Sequence, residues 1–190
     1  MFYDFYFYYI YRKYRAMAIQ RPFNFKQWID DNRHLLKPPV GNKQVYEDAE
    51  FIVMVVGGPN ARKDYHYNES EEFFYQLEGD IVVRVQEDGK AVDMPINEGE
   101  IFLLPPKVPH SPIRSDASVG LVIERKRRAG EIDGLLWFRD KCNHKLFEKY
   151  FVLNSIEKDF QPVFREFYAS EDFRTCDNCG HVMEVDERFV

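Results

Sequence analysis

Hydrophobic and polar positions follow two different periods along the chain, and the change comes near residue 40. Before it, Asn24 and Gln27 fit a capping box, which predicts a helix that begins there and ends at Pro38. The apolar stripe of this helix comprises Trp28, Ile29, Leu35 and Leu36. After it, short β-branched or aromatic runs alternate with turn residues, which is typical of strands. The runs cover residues 51–56, 72–79, 80–86, 91–96, 101–105 and 119–126.

These runs predict an all-β core, because many short strands at regular spacing are typical of a sandwich, barrel or jelly roll. Asp88-Gly89 lies between two runs and predicts a hairpin, since both residues tolerate positive φ in a tight turn. The tail, residues 135–190, combines two cysteine-bearing segments with a helical period at Phe160, Val163, Phe164 and Phe167. A single domain is expected over residues 17–190, with its ligand-bearing strands at about 45–128.

The first sixteen residues do not belong to this pattern. MFYDFYFYYIYRKYR is rich in aromatic residues, yet its apolar run is too short to span a bilayer, is interrupted by Asp4 and lacks a small-residue cleavage site. We therefore expect that translation starts at Met17 or that residues 1–16 are a dispensable extension, and no membrane partner is expected. The alternative is an interfacial anchor whose YRKYR segment faces anionic headgroups.

Composition narrows the possible partners and the compartment. The formal net charge of −6 argues against a nucleic-acid partner, which normally requires a clustered basic face. The one basic run, ERKRRAG at residues 124–130, follows a predicted strand and is expected to be solvated surface without a function. Three cysteines cannot all pair within the chain, so a reducing, cytoplasmic setting is favoured.

Three residues of metal-ligand type occur in the strand region. His66 and Glu72 flank a plausible turn at residues 67–70, and a hairpin there would place their side chains next to each other. His110 follows a proline-rich turn and could supply a third ligand. Singly, a strand histidine or the Glu71-Glu72 pair is more often structural. Together, two histidines and one carboxylate leave coordination positions open, as in non-haem Fe(II) oxygenases, although hydrolytic zinc sites use the same ligand types.

Two arginines each lie four residues from one of these histidines. Arg62 lies four residues before His66, and on an extended segment both point to the same face. The same holds for Arg114, four residues after His110. A guanidinium in a dry pocket requires an anionic partner, and its fork fits a carboxylate or phosphate. A small anionic substrate is therefore expected, unless Asp64, on the same face, pairs with an arginine internally.

The ligand segments resemble the paired motifs of the cupin superfamily. The matching positions are His66, Glu72 and Gly79 in the first motif and Gly99, Pro105 and His110 in the second. Asn68 stands where the first motif has a second histidine, which leaves a site with two histidines and one glutamate. Lys107 takes a glycine position, and Arg114 replaces a final asparagine. The resemblance implies a single cupin, a double-stranded β-helix or jelly-roll-like barrel, with a few flanking helices.

From Pro22 to Gly180 the chain resembles the family of 3-hydroxyanthranilate 3,4-dioxygenases, most distinctively in ARKDYHYNESEEFFYQLEGD, IFLLPPKVPHSPIR and LVIERKR. The resemblance implies opening of the 3-hydroxyanthranilate ring with O2 to 2-amino-3-carboxymuconate semialdehyde. This product is the precursor of quinolinate in the kynurenine route to NAD. The resemblance also implies a small aromatic carboxylate as the binding partner and a homodimer as the assembly.

The same resemblance implies roles for individual residues. The Fe(II) ligands would be His66, Glu72 and His110. Arg62 would lie near O2 and stabilise negative charge, and Glu124 would accept a proton from the substrate, so both are expected to be catalytic. The expected substrate contacts are Arg62, Glu72, Arg114 and Glu124, with Arg114 on the ring carboxylate. Glu124 is assigned by the resemblance alone.

A second ligand cluster is expected in the tail. TCDNCGH at residues 175–181 is a CxxC knuckle, and such knuckles work in pairs because a structural tetrahedral site needs four ligands. Bacterial relatives in this family hold a rubredoxin-like iron in this way, but here Arg139 replaces the first cysteine of the other knuckle. The remaining cysteines are Cys142, Cys176 and Cys179. Either His144 or His181 completes a Cys3His site, or a packed remnant with free thiols is left, and no catalytic role is expected.

Two other functions are compatible with these residues. One is a cupin isomerase or hydrolase that uses zinc or manganese on a small anionic substrate. The other is a non-catalytic cupin that binds a metal or a ligand. Consumption of O2 separates the dioxygenase from both.

Overall fold

The computed structural model describes residues 19–38, 41–47, 49–60 and 62–189. The chain divides into two units, Met1–Asn32 and Arg33–Val190. The predicted extension, residues 1–16, and the predicted start at Met17 lie outside the described residues. They therefore stay predictions, as does the domain boundary placed there.

One helix, α1 (Phe25–Asn32), occurs in the described part of the first unit. The side chain of Asn24 accepts a hydrogen bond from the backbone N–H of Gln27 at 3.0 Å, which confirms the predicted cap. The helix is shorter than predicted, because it ends at Asn32 and a 3-10 helix follows at Arg33–Leu35. Leu35 and Leu36 therefore do not extend its apolar stripe.

The second unit is built mainly from short strands, as the apolar runs predict. Within its described residues, eleven strands form two antiparallel sheets. In spatial order, the first sheet contains β1 (Asn42–Gln44), β2 (Phe51–Gly57), β9 (Val119–Arg125), β4 (Glu72–Glu78) and β7 (Ile101–Leu104). The second contains β11 (Lys145–Phe151), β10 (Asp133–Phe138), β3 (Asp64–Tyr67), β8 (His110–Arg114), β5 (Ile81–Glu87) and β6 (Lys90–Ile96). The helices α2 (Ile156–Ala169) and α3 (Glu171–Arg174) and a 3-10 helix at Glu187–Phe189 follow.

Strands that are distant in sequence lie next to each other, so each sheet combines early and late segments of the chain. β9 lies between β2 and β4, and β8 lies between β3 and β5. This arrangement confirms the predicted all-β, jelly-roll-like fold, although over the described residues the two sheets do not close into a barrel. The hairpin predicted at Asp88-Gly89 is confirmed as well, with φ of 48° and 75° between β5 and β6.

The hairpin predicted at residues 67–70 is wrong. β3 pairs with β8 and β10, whereas β4 pairs with β7 and β9, so the intervening residues cross from one sheet to the other. The apolar pattern also misses β10 and β11. β10 is buried at nearly every position, so it lacks the alternation that identifies a half-buried strand.

Two clusters of buried side chains fill the second unit. One combines residues of both sheets and comprises Phe74, Ile81, Val83, Val85, Ile96, Leu104 and Val122. The other joins β10 to α2 and comprises Leu135, Trp137, Phe160, Val163, Phe164, Phe167, Tyr168 and Met183. Trp137 stacks on Phe167 with ring centroids 4.3 Å apart, and the helical period predicted in the tail is confirmed. No described helix is long and apolar enough to cross a membrane.

Candidate active site

The three predicted metal ligands, His66, Glu72 and His110, lie together although the predicted hairpin does not form. One ligand atom from each lies within 4.8 Å of the others, and all three side chains are buried. In the second sheet, His66 is the direct neighbour of His110 across β3 and β8. In the first sheet, Glu72 is the neighbour of Glu124 across β4 and β9. Each sheet therefore contributes a pair of candidate site residues, and the candidate site lies where the pairs face each other.

His110 and Glu72 form a charged pair in the position where a metal ion would lie. Nε2 of His110 lies 3.1 Å from Oε2 of Glu72, and its Nδ1 lies 3.1 Å from the carbonyl oxygen of Val108. Burial lowers the pKa of His110, but the charge of Glu72 raises it above the ordinary value. Burial alone would raise the pKa of Glu72. The charge and the hydrogen bond of His110 outweigh this effect and lower the pKa to about 2. Glu72 is therefore anionic at neutral pH, and a cation could replace the proton that it shares with His110.

His66 contacts Asp133, a residue that sequence reasoning misses. Oδ1 of the fully buried Asp133, the first residue of β10, lies 2.7 Å from Nε2 of His66. Burial lowers the pKa of His66, even though Asp133 opposes this effect. A neutral imidazole that donates Nε2–H to Asp133 keeps a lone pair on its other nitrogen, as a metal ligand requires.

Asn68 connects the carboxylate of the ligand set to Glu124. Its Nδ2 donates to Oε2 of Glu124 at 3.2 Å and, more weakly, to Oε2 of Glu72 at 3.4 Å. The position that holds a further histidine ligand in the cupin motif thus holds a buried amide that positions two carboxylates. Lys107, at the glycine position of the second motif, adopts a left-handed φ of 67° and donates its backbone N–H to the carbonyl of Asn68 at 2.8 Å.

Arg114 brings a buried positive charge with spare hydrogen-bonding capacity. It is 4% exposed, and none of the described residues accepts a hydrogen bond from its Nη1. Burial lowers the pKa of Arg114 to about 10, so it stays charged at neutral pH. Gly120 on β9 makes room for it, because a Cβ atom there would lie 2.9 Å from Nη1 of Arg114 and 2.8 Å from Oε1 of Gln76.

Arg62 differs from Arg114 because it has an internal partner. Its Nε lies 3.1 and 3.2 Å from the two carboxylate oxygens of Asp64, and its Nη2 also bonds that carboxylate. The internal pairing with Asp64, the alternative left open by the sequence, is therefore present. The side chain is one third exposed, and it contributes to the electrostatics of both Glu72 and His110.

Glu124 is buried among other charged groups at the end of β9. Burial and the nearby charge of Glu72 raise the pKa of Glu124 to about 7, against the effect of Arg127. Arg127 donates to Oε2 of Glu124 at 2.6 Å, and its side chain is only 9% exposed. The expectation that the run ERKRRAG is entirely solvated is therefore wrong for Arg127, which turns inward.

Two clefts border this cluster. One, of about 770 Å³, is lined by Ile52, Met54, Arg127 and Ile156 among others. Ile52 is the neighbour of Glu124 across β2 and β9, so this cleft lies next to the strand position of Glu124. The other cleft, of about 350 Å³, is lined by Arg62 and by Phe160, whose ring lies 5.3 Å from that of His66.

The three cysteines of the tail also come together. Sγ of Cys142 lies 3.6 Å from Sγ of Cys176 and 3.8 Å from Sγ of Cys179, and none of the three is in a disulfide. Neither His144 nor His181 joins this group among the described residues, which favours the second of the two alternatives, a remnant with free thiols. Arg139 lines a different cavity, which it shares with Arg84 and Asp93.

A jelly-roll-like pair of sheets that surrounds two histidines and one glutamate, at positions that match both cupin motifs, defines a cupin with a group that could hold a metal ion. Comparison with known proteins narrows this class. The family model described as 3-hydroxyanthranilic acid dioxygenase matches residues 17–168. The chain belongs to this family.

Named relatives support the assignment over most of the chain. The 3-hydroxyanthranilate 3,4-dioxygenase of Xanthomonas campestris pv. campestris (strain 8004) is 60% identical over 169 residues, which cover 89% of this chain and 96% of that protein. The enzyme of the same name from Jannaschia sp. (strain CCS1) is 56% identical over 87% of this chain and 93% of its own. Among solved structures, a cupin-2 domain containing protein from Shewanella frigidimarina NCIMB 400 aligns with 55% of this chain and 94% of its own, at a TM-score of 0.44 and 17% identity.

Proposed function

We propose that this chain performs the reaction after which its family is named, the opening of the 3-hydroxyanthranilate ring by O2 to 2-amino-3-carboxymuconate semialdehyde, and that His66, Glu72 and His110 bind the Fe(II) it requires. One observation carries the proposal. A buried group of two histidines and one carboxylate, with ligand atoms within 4.8 Å, lies in a member of a ring-cleaving dioxygenase family. The product is the precursor of quinolinate, which places the enzyme in NAD biosynthesis.

The ligand set fits ferrous iron. Two imidazoles and one carboxylate occupy one side of an ion and leave positions for other molecules, as in non-haem Fe(II) oxygenases. When bound, iron would supply the centre at which O2 and the substrate's neighbouring hydroxyl and amine meet. Asp133 and Val108 hold the rings of His66 and His110 in place, so the site needs little rearrangement to accept an ion.

Arg114 is proposed to bind the ring carboxylate. Its Nη1 lacks an acceptor among the described residues, and a buried donor without a partner is costly until an acceptor arrives. A carboxylate can accept two parallel hydrogen bonds from the guanidinium fork, which fixes the plane of the substrate ring. Orientation of the ring would direct its hydroxyl and amine toward the metal ligands, with Glu72 bordering the substrate.

Glu124 is proposed as the proton acceptor for the substrate hydroxyl. A group with a pKa of about 7 is half ionised at neutral pH and can both take and return a proton. Asn68 and Arg127 bind the same oxygen, Oε2, which leaves Oε1 for the substrate. The apolar side chains of Ile52 and Met54 in the adjoining cleft would exclude water from the ring.

Arg62 is proposed to stabilise negative charge that develops on oxygen during the reaction. Its bonds to Asp64 fix the guanidinium, and both side chains line the 350 Å³ cleft. The pairing makes Arg62 a weaker electrostatic contributor than an unpaired arginine would be. Both Arg62 and Glu124 would act as catalytic residues, because each would touch reacting atoms.

Three further proposals concern the rest of the molecule. The thiols of Cys142, Cys176 and Cys179 are close enough to bind one metal ion together. Unpaired thiols support a reducing, cytoplasmic setting. A homodimer is supported by β7, an edge strand whose Ile101 and Leu103 are 65% and 52% exposed.

The test is oxygen uptake and near-ultraviolet absorbance after addition of 3-hydroxyanthranilate to protein reconstituted anaerobically with Fe(II). A zinc-loaded sample serves as the control. Turnover with iron and none with zinc is expected. No uptake by fully iron-loaded protein would contradict the proposed reaction. It would favour a metal-dependent isomerase or hydrolase activity on other small anions.

A further inference from the structure

Arg127 lies between two buried carboxylates that belong to different parts of the site. Its Nη1 donates to Oε2 of Glu124 at 2.6 Å. On the other edge of the guanidinium, Nε donates to Oδ2 of Asp133 at 2.9 Å and Nη2 donates to Oδ1 at 2.5 Å. Both carboxylate side chains are at most 4% exposed, so water does not replace these bonds.

Each of the two carboxylates has a second contact that matters for the reaction. Asp133 uses Oδ1 to accept from Nε2 of His66, a proposed iron ligand, at 2.7 Å. Glu124 is the proposed proton acceptor and is also bonded by Asn68. Arg127 therefore contacts Glu124 directly and is connected to His66 through Asp133.

The charges explain why an arginine is needed here. Asp133 and Glu124 are six and three residues from Arg127 in sequence, yet both place a negative charge in an interior that also contains Glu72. A buried carboxylate without a partner is strongly destabilising. Only a guanidinium offers several donors in one plane, and a lysine ammonium at the same place could not make the paired bonds to Asp133 and still reach Glu124 with fixed geometry.

We propose that Arg127 is a positioning residue for both halves of the proposed dioxygenase site. Through Asp133 it fixes the orientation and the proton of the His66 ring, and through Glu124 it holds the carboxylate that faces the substrate. The inference rests on the proposed function. If Arg127 positions both halves, one substitution weakens two separable binding events. A residue that only holds its loop in place would not have this effect.

The experiment compares Arg127→Gln with Asp133→Asn and Glu124→Gln in two anaerobic titrations. Co(II), followed by its visible absorbance, reports the affinity of the ligand set, and 3-hydroxyanthranilate added to the Co(II)-loaded protein reports substrate affinity. Asp133→Asn is expected to weaken Co(II) binding by about 10- to 100-fold, the range for partners of metal-bound histidines. Glu124→Gln is expected to affect the substrate titration alone. Arg127→Gln should weaken both, the second by about tenfold.

Arg125→Gln is the matched control, because Arg125 belongs to the same basic run and is ion-paired with Glu131 outside the site. It should change neither titration. Arg127→Lys should bind Co(II) and 3-hydroxyanthranilate more tightly than Arg127→Gln but less tightly than the unaltered protein. It is used in place of Arg127→Gln if that variant does not fold.

A lowered unfolding temperature with both affinities unchanged in Arg127→Lys or Arg127→Gln would reduce Arg127 to a loop anchor and overturn the inference. Failure of the proposed function would look different. In that case the unaltered protein itself would not bind 3-hydroxyanthranilate after loading with Co(II).

Discussion

The chain carries two clusters of metal-ligand side chains, and they differ in what surrounds them. His66, Glu72 and His110 are all buried, and each contacts a further group: Asp133, Asn68 or a backbone carbonyl. Among Cys142, Cys176 and Cys179, one side chain is buried, one is partly exposed and one is exposed. The side chain of Asn178 hydrogen-bonds to Cys142, but no described carboxylate or imidazole joins that second group.

Proximity of ligands alone does not make a strong site, because the groups around them fix their orientation and charge. The first cluster has neutral and charged neighbours that fix ring orientation, proton position and net charge before an ion arrives. The second must ionise thiols next to one another. Hydrogen bonding from the backbone of His144 lowers the pKa of Cys142 to about 7, but burial raises the pKa of Cys176. We therefore expect tight, functional metal binding at the first cluster and weaker binding at the second.

The largest effect is expected from Glu72→Ala, which removes the anionic ligand of the first cluster. Iron binding and turnover should both be lost, because the two histidines alone leave the ion without charge compensation. The measurement is iron content by elemental analysis together with oxygen uptake. Glu71→Ala is the control, since Glu71 is the exposed neighbour in sequence. Iron content equal to that of the unaltered protein would remove Glu72 from the ligand set.

Arg114→Ala separates substrate binding from metal binding within the same cluster. The KM for 3-hydroxyanthranilate should rise about 10- to 100-fold, the range for a hydrogen-bonded charge pair, while iron content stays unchanged. Steady-state kinetics and elemental analysis test both statements. Arg84→Ala, which removes a partly exposed arginine paired with Asp93, should leave the KM as it is. An unchanged KM in Arg114→Ala would exclude it as the carboxylate contact.

The pH dependence of the reaction should report Glu124. Its pKa of about 7 means that the carboxyl is protonated below that pH and cannot accept a proton. The value of kcat/KM should therefore fall about tenfold per unit as pH decreases below 7 and level off above it. In Glu124→Gln the value of kcat/KM should be much lower, and it should no longer fall as pH decreases below 7. Persistence of the same limb would assign it to another group.

A smaller effect is expected from Gly120→Ala, which displaces Arg114 without removing it. The added methyl would overlap the flexible ends of Arg114 and Gln76, so the protein should fold with the guanidinium shifted. The KM should rise by less than in Arg114→Ala, by about tenfold at most. Leu121→Ala, on the opposite face of β9, is the control. Equal KM values for the unaltered protein, Gly120→Ala and Leu121→Ala would show that the space at Gly120 does not position Arg114.

The smallest effect on turnover is expected at the second cluster. Cys142→Ser should leave kcat and KM unchanged, because no cysteine contacts the residues of the proposed active site. Elemental analysis of zinc-supplemented protein should show one equivalent less metal than in the unaltered protein. A large fall in kcat would contradict the separation of the two clusters.

The sequence predicts the ligand set better than the path that assembles it. His66, Glu72 and His110 are identified by motif spacing, but the connection between β3 and β4 crosses between sheets, and no local signal distinguishes this crossing from a hairpin. Glu124 depends on family resemblance. Arg127 and Asp133 are missed, because their role arises from the pairing of β10 with β3 and the inward turn of one arginine in a basic run. An isolated acidic residue before an apolar stretch carries no comparable signal.

The three proposed iron ligands come from opposite sheets, and this has a thermodynamic consequence. Two ligands come from the second sheet and one from the first, so a bound ion joins the two layers of the jelly roll. An ion that binds only the folded chain stabilises it by about 2.7 kcal/mol when its free concentration is one hundred times the Kd. Heat resistance of this enzyme should therefore rise with the logarithm of free iron, so that loss of the cofactor weakens the scaffold along with the chemistry.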